Sequence, residues 1–359
     1  MKNKNNIPEI EKVAIVKCPN YQQERVDKSI EKALSLINFK FKKNSKVLIK
    51  PNVVGDFPKN QIAITTNPAI IEAVCKILKR NNCKIFIGDS SFTNPETAFK
   101  LSGIEKVAKK YGKLVIFEQD KLIKIKDEKA KVLRQFEIAK IIKNVDLIIN
   151  IPKLKTHMLT KFTGAIKNLY GCIPGGMKQK LHAKAIGEKK FSKLLIDIYQ
   201  NIKPELNIMD GIIGMEGNGP TSGNPKKAGL ILASKNAVAL DIVSTKIIGL
   251  KPKRIYAIKE AIKRKLLPKF EIIGTMPLIK FKKAQSHEKT KIMSLLKNLS
   301  RYKPIVVDEK KCIKCGICAK HCSTQAITLN PFPTFNRKKC IRCFCCIEVC
   351  PQHALSLKE

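Results

Sequence analysis

The segment Asp146-Leu147-Ile148-Ile149-Asn150-Ile151-Pro152-Lys153-Leu154-Lys155-Thr156-His157 decides how most of the chain is read. Residues 146–150 form a short, mostly apolar run of the kind that makes a buried strand. A lysine-rich polar segment with one histidine follows at once. The same juxtaposition recurs along the chain. Lys50-Pro51-Asn52 closes a strand expected over 47–50, Gly88-Asp89-Ser90 follows one over 84–87, and Asp210-Gly211 follows one over 206–209. Further strands are expected at 13–17, 113–117, 229–233 and 271–273. Helices are expected at 25–36, 68–80, 95–111, 136–143, 191–202, 237–248 and 254–266. This alternation predicts an α/β domain over residues 10–275, with a mainly parallel sheet flanked by helices. Ligands of open parallel sheets bind outside the carboxyl ends of the strands, so the four polar segments are expected to share one edge and form a cleft.

The residues on that edge suit an anion. Lys153, Lys155 and Lys167 bring ammonium groups, and His157 adds an imidazole able to act as acid or base near neutral pH. His157, Lys155, Lys153 and Asp89 are the catalytic candidates. Lys50, Asn52, Ser90, Lys167, Asn168, Asp210 and Glu216 are the substrate-binding candidates. Asn52 and Asp89 suit orienting a substrate or a metal, and Asp210 and Glu216 suit a hard cation or a plain turn. The glycine-rich stretch from Gly214 to Gly223 fails the dinucleotide fingerprint, because its third glycine falls one place late and a strand rather than a helix follows. There is no Walker A pattern. Pro174-Gly175-Gly176 reads as a flexible loop, either a lid or a turn.

Nine of the 13 cysteines lie between positions 312 and 350. Eight form two copies of one pattern: Cys312, Cys315, Cys318, Cys322 and Cys340, Cys343, Cys346, Cys350, the last followed by Pro351. Three closely spaced thiolates on a tight loop can face one iron–sulfur cube, and the fourth, after a longer gap, reaches the other. The expected cofactors are therefore two [4Fe–4S] clusters. One is held by Cys312, Cys315, Cys318 and Cys350, the other by Cys340, Cys343, Cys346 and Cys322. Paired zinc sites are the alternative, but a typical zinc site takes two ligands from each of two separated pairs. Disulfides are not expected without a secretory context. Cys18, Cys75, Cys83 and Cys172 read as buried free thiols.

This region, about 306–358, resembles bacterial-type two-cluster ferredoxins. Ser323 stands where the pattern usually has proline, and Cys345 is an extra thiol beside Cys346. Ile313, Ile317, Ile327, Ile341 and Ile347 are expected to pack around the cubes. The words Lys50-Pro51-Asn52, Gly88-Asp89-Ser90, Ile151 to His157, Thr163 to Gly171, Asp210 to Pro220 and Asn236 to Asp241 occur in order. They resemble the family called domain of unknown function 362, over about residues 12–275. That resemblance implies an iron–sulfur protein of unassigned activity and supplies no catalytic residues. A basic linker and helix over 276–304, with Ile292, Leu295, Leu296 and Leu299 on one side, would join it to a small α+β ferredoxin-type domain over 305–359.

The chain has 359 residues and a formal net charge of +41. From Val306 onward nine basic and four acidic residues leave +5, so +36 belongs to residues 1–305. Two oxidised cubes of about −2 each would bring the small module close to neutral. The basic large domain favours a small anionic substrate or an acidic redox partner. It could also reflect genome composition. Nucleic acid is disfavoured, because few aromatics interleave the lysines. No leader pattern is visible, and the longest apolar runs fall far short of the roughly 18 residues of a membrane span, so a soluble, cytoplasmic protein is expected. Three functions compete. The first is electron transfer through the clusters to a redox reaction on an anion in the cleft. The second is an electron carrier or docking protein for a partner oxidoreductase. The third is a non-redox enzyme with structural clusters.

Overall fold

The computed structural model describes residues 10–57, 61–287 and 304–358. Among the described residues twelve strands precede the cysteine-rich part: β1 (Glu11–Lys17), β2 (Lys46–Lys50), β3 (Lys84–Asp89), β4 (Lys113–Ile116), β5 (Leu122–Lys126), β6 (Gln135–Ala139), β7 (Leu147–Asn150), β8 (Lys153–His157), β9 (Lys161–Thr163), β10 (Leu206–Glu216), β11 (Asn224–Ser234) and β12 (Phe270–Ile273). Strands β5 and β6 pair as a separate antiparallel hairpin. The other ten form one sheet of order β12-β1-β11-β10-β7-β2-β3-β4, with β8 on β10 and β9 on β8. The pairings β12–β1, β10–β7, β7–β2, β2–β3, β3–β4 and β8–β10 are parallel. Strand β11 runs antiparallel to both neighbours. The sheet is thus mainly parallel and flanked by helices.

The central strands are apolar on both faces, as a sheet covered on both sides requires. In β2, Leu48 packs into one core while Val47 and Ile49 pack into the other. Helices Gln23–Leu36, Pro68–Arg80 and Ile104–Tyr111 cover the second face, and Gly187–Ile202, Ala237–Ile247 and Tyr256–Lys263 cover the first. Helix Pro68–Arg80 starts where the sequence dictates: the Asn67 side chain accepts from Ala69 N, and proline opens the first turn.

Several expectations change. The helix expected over 95–111 breaks into Pro95–Leu101 and Ile104–Tyr111, because Gly103 turns with φ 75°. The stretch 136–143 is strand β6 followed by a 3-10 turn, Lys140–Lys143. Its Phe136 and Ile138 alternate inward against β5, a period of two rather than a helical one. Residues 153–157 form strand β8 with all five side chains buried, where a polar loop was expected. Pro174-Gly175-Gly176 leads straight into helix Gly175–Lys184. The apolar stretch from Ile292 to Leu299 lies outside the described residues.

The C-terminal part is a small unit of short antiparallel pairs. Strands β13 (Ile305–Val307), β14 (Ile327–Leu329), β15 (Pro333–Phe335) and β16 (Leu355–Leu357) pair as β13–β16 and β14–β15. Helices Ile317–Lys320 and Cys345–Glu348 complete it.

Candidate functional site

The eight patterned cysteines gather into two cradles. Cys312, Cys315, Cys318 and Cys350 line a cavity of about 380 Å³. Cys322, Cys340, Cys343 and Cys346 line another of about 340 Å³, with Cys345 beside them. Each cradle takes three thiols from one copy of the motif and the fourth from the other. The copies repeat with a uniform offset of 28 residues, 312 to 340 and 322 to 350. The backbone repeats too: Lys314 and Arg342, Gly316 and Phe344, and Gln325 and His353 all have positive φ. Those left-handed turns coil each loop tightly. Ala326 N donates to Cys322 Sγ at 3.2 Å, and Ala354 N to Cys350 Sγ at 3.3 Å. Such N–H groups favour thiolate. Ile317, Leu329 and Leu355 line the first cradle; Ile327, Phe335, Ile341 and Phe344 line the second. Among the described residues no three Cys, His, Asp or Glu side chains close on a single-ion site. Thiols spread around an apolar space fit a many-atom iron–sulfur cube better than one zinc ion. Of the five isoleucines expected there, Ile313 is 62% exposed at the rim and Ile347 packs into the general core instead.

Cys315 is exposed to solvent. The second copy turns toward the large domain: Thr221 Oγ1 donates to Glu348 O at 3.0 Å, and Ser222 Oγ lies 3.2 Å from His353 Nδ1. From the first copy, His321 Nε2 lies 2.8 Å from Phe92 O.

Between cradle and sheet lies a polar cavity of about 460 Å³ at the carboxyl ends of β2 and β3. Asn52, Asp89, Ser90, Lys155, Lys167 and Asn168 all line it, as do Phe92, Tyr170, Lys178 and Glu348. Lys155 Nζ donates to Ile64 O at 2.8 Å and Pro220 O at 3.4 Å. Burial pushes this ammonium well below its ordinary value, Lys167 and Lys153 add to the effect, and Glu348 and Asp89 oppose it. Burial also lowers Lys167, against the pull of Glu348 and Cys345. Lys178 Nζ donates to Ser90 O at 3.0 Å and sits 5.0 Å from the Phe92 ring; burial pushes it down to about 8. Tyr170 OH donates to Lys178 O at 2.7 Å and fixes that helix turn. Glu348 is buried, and burial pushes its carboxyl up to about 7 while Lys167 and Lys155 hold it down.

The remaining candidates lie outside this lining. Lys50 Nζ bonds Asp89 Oδ1 at 2.7 Å, and Asp89 also accepts from Val53 N and Ser90 N. Lys153 Nζ bonds Asp210 Oδ2 and Tyr21 OH, each at 2.8 Å, so its charge is already matched. Asp210 accepts further from Tyr21 OH and Asn67 N, and Glu216 accepts from Lys282 N. The two acids are therefore held by separate protein donors. His157 accepts from Leu159 N at Nδ1, and its Nε2 lies 3.5 Å from Glu348 Oε1. Asn168 joins Asn150 and Pro51 O, and Asn150 continues to Asn207. Sequence reasoning missed Lys178, Tyr170, Phe92 and Glu348. Glu348 carried a signal: it takes the place of Lys320 in the other copy of the motif. Cys18, Cys75, Cys83 and Cys172 are free and buried as expected.

These features define an α/β protein with an iron–sulfur module set against its strand-end cavity. The family model for domain of unknown function 362 matches residues 47–246, and a 4Fe-4S dicluster domain matches 311–358. The chain belongs to the domain of unknown function 362 family. It is 31% identical over 254 residues to a thylakoid-associated protein of Synechocystis sp., covering 68% of this chain and 77% of that one. Among solved structures, the lactate racemase apoprotein from Thermoanaerobacterium thermosaccharolyticum aligns with TM-score 0.42 and 13% identity, over 67% of this chain and 57% of that chain. No helix among the described residues is long and apolar enough to cross a membrane.

Proposed function

We propose that this is a cytoplasmic iron–sulfur redox protein that exchanges electrons with a small anionic substrate held in the strand-end cavity. Cys312, Cys315, Cys318 and Cys350 would hold one [4Fe–4S] cluster, and Cys322, Cys340, Cys343 and Cys346 a second. One observation carries the reading. Glu348 lines the substrate cavity, while Cys346 and Cys350, two residues to either side of it, line the two cradles. When bound, the clusters supply one-electron transfer. The protein's own residues do the rest. Lys155, Lys167 and Lys178 attract the anion, Asn168 is held in place by Asn150, and Phe92 and Tyr170 narrow the space available to water. His157 orients Glu348 from 3.5 Å. Lys50 and Asp89 hold the walls together. The exposed Cys315 side is the entry for electrons.

Anaerobically reduced holoprotein, mixed with a panel of small carboxylates and phosphate esters, tests this. At least one member should reoxidise the clusters, and Lys155→Met should slow that reoxidation by about tenfold or more. A panel that never reoxidises the protein would contradict the reading. It would favour the electron-carrier alternative, in which the +36 on residues 1–305 steers an acidic partner in a salt-sensitive way.

A further inference from the structure

The lysines at the strand ends are of two kinds. Lys50 pairs with Asp89 at 2.7 Å and Lys153 pairs with Asp210 at 2.8 Å, all out of reach of solvent. Lys155, Lys167 and Lys178 line the cavity, and among the described residues none of them has a carboxylate within ion-pair distance. Lys155 and Lys178 donate to backbone carbonyls instead. A carbonyl oxygen carries only partial charge, and burying an ammonium without a full counter-charge is costly. Asp89 is committed to Lys50, so Glu348 is the uncommitted acid of the lining, while Glu118, outside the lining, also acts on Lys178. Within the lining three lysines face this one carboxylate, an excess of two positive charges that Glu118 offsets in part from outside. A bound cluster is a rival counter-charge, since Cys345 of the second cradle acts on Lys167, yet none of the three lysines lines that cradle.

We propose that the cavity binds a small dianion, either a tetrahedral oxyanion group or a pair of carboxylates, with Lys155, Lys167 and Lys178 as its counter-charges. The inference rests on the reading of this cavity as the substrate site. It does not depend on electron transfer, because binding is measured on oxidised holoprotein with no electron donor. If dianions bind but never reoxidise the reduced protein, the redox reading fails and this one stands.

Sulfate, malonate and acetate are titrated calorimetrically at low salt and neutral pH. Sulfate represents the oxyanion, malonate the dicarboxylate, and acetate the single charge. Sulfate or malonate should bind about tenfold or more tightly than acetate, and Lys155→Met and Lys167→Met should each remove about tenfold of that affinity or more. Methionine conserves volume and removes a buried charge, so the variants should fold. Their visible cluster absorbance checks this. Lys84→Met, on an exposed strand start, should bind as the parent does. Equal affinity for acetate and both dianions, or folded Lys155→Met and Lys167→Met variants that bind like the parent, would overturn the proposal.

Discussion

At the scale of residues, the site is a set of buried ammonium groups sorted by whether the protein itself matches their charge. Lys50 and Asp89 are matched, with 0% and 2% side-chain exposure. Asp89→Ala should cost about 3–5 kcal/mol in chemical denaturation, because it leaves a buried ammonium uncompensated and strips two backbone donors as well. Lys178 is not matched, and it titrates. Burial, helped by Lys50 and opposed by Asp89 and Glu118, lowers it to about 8. Its charge in the fold is therefore lost as pH rises through 8, so anion affinity should fall across that range. The unfolded chain keeps this proton up to about 10.5. Between these values the unfolded state binds more protons, and stability should rise with pH on this account. In Lys178→Met both slopes should flatten, which titration calorimetry and pH-dependent melting would check.

At the scale of elements, much was legible in the sequence. Helix Pro68–Arg80 is fully specified by its Asn67 cap, its opening proline and its apolar stripe. The same logic applies to Ala237–Ile247: Asn236 accepts from Val238 N and Ala239 N, so Asn236→Ala should cost about 1 kcal/mol, read as a lowered Tm. The cysteine cradles were legible residue by residue, because ligand spacing is a local property. Strand β8 was not. Its Lys153, Lys155 and His157 look solvated, and the partners that make the two lysines' burial tolerable, Asp210 and Tyr21 for Lys153 and the carbonyls of Ile64 and Pro220 for Lys155, are all distant in sequence. Lys178 and Glu348 escaped for the same reason: each reaches the cavity through tertiary packing of a short helix. The turn Leu169–Cys172 has a similar dependence. A Cβ at Gly171 would land on Asp89 Oδ1 and Lys50 Nζ, so Gly171→Ala should lower Tm and weaken anion binding together.

At the scale of the whole molecule, a near-repeat of 28 residues is put to two uses. One copy leaves Cys315 and Ile313 exposed. The other buries Phe344 and Cys345 at the second cradle and sets Glu348 against the large domain at Thr221. The sheet delivers its lysines to one edge, and the second copy closes that edge with a carboxylate and the second cradle. Glu348 of the cavity lies two residues from Cys346 of the second cradle, so on the proposed reading a ligand in the cavity is felt at that cradle. The most direct measurement is the electron paramagnetic resonance spectrum of reduced holoprotein with and without saturating malonate or sulfate. The spectrum of one cluster should change on dianion binding, and the change should vanish in the Lys155→Met, Lys167→Met double variant. Superimposable spectra, with binding established independently by calorimetry, would contradict the account.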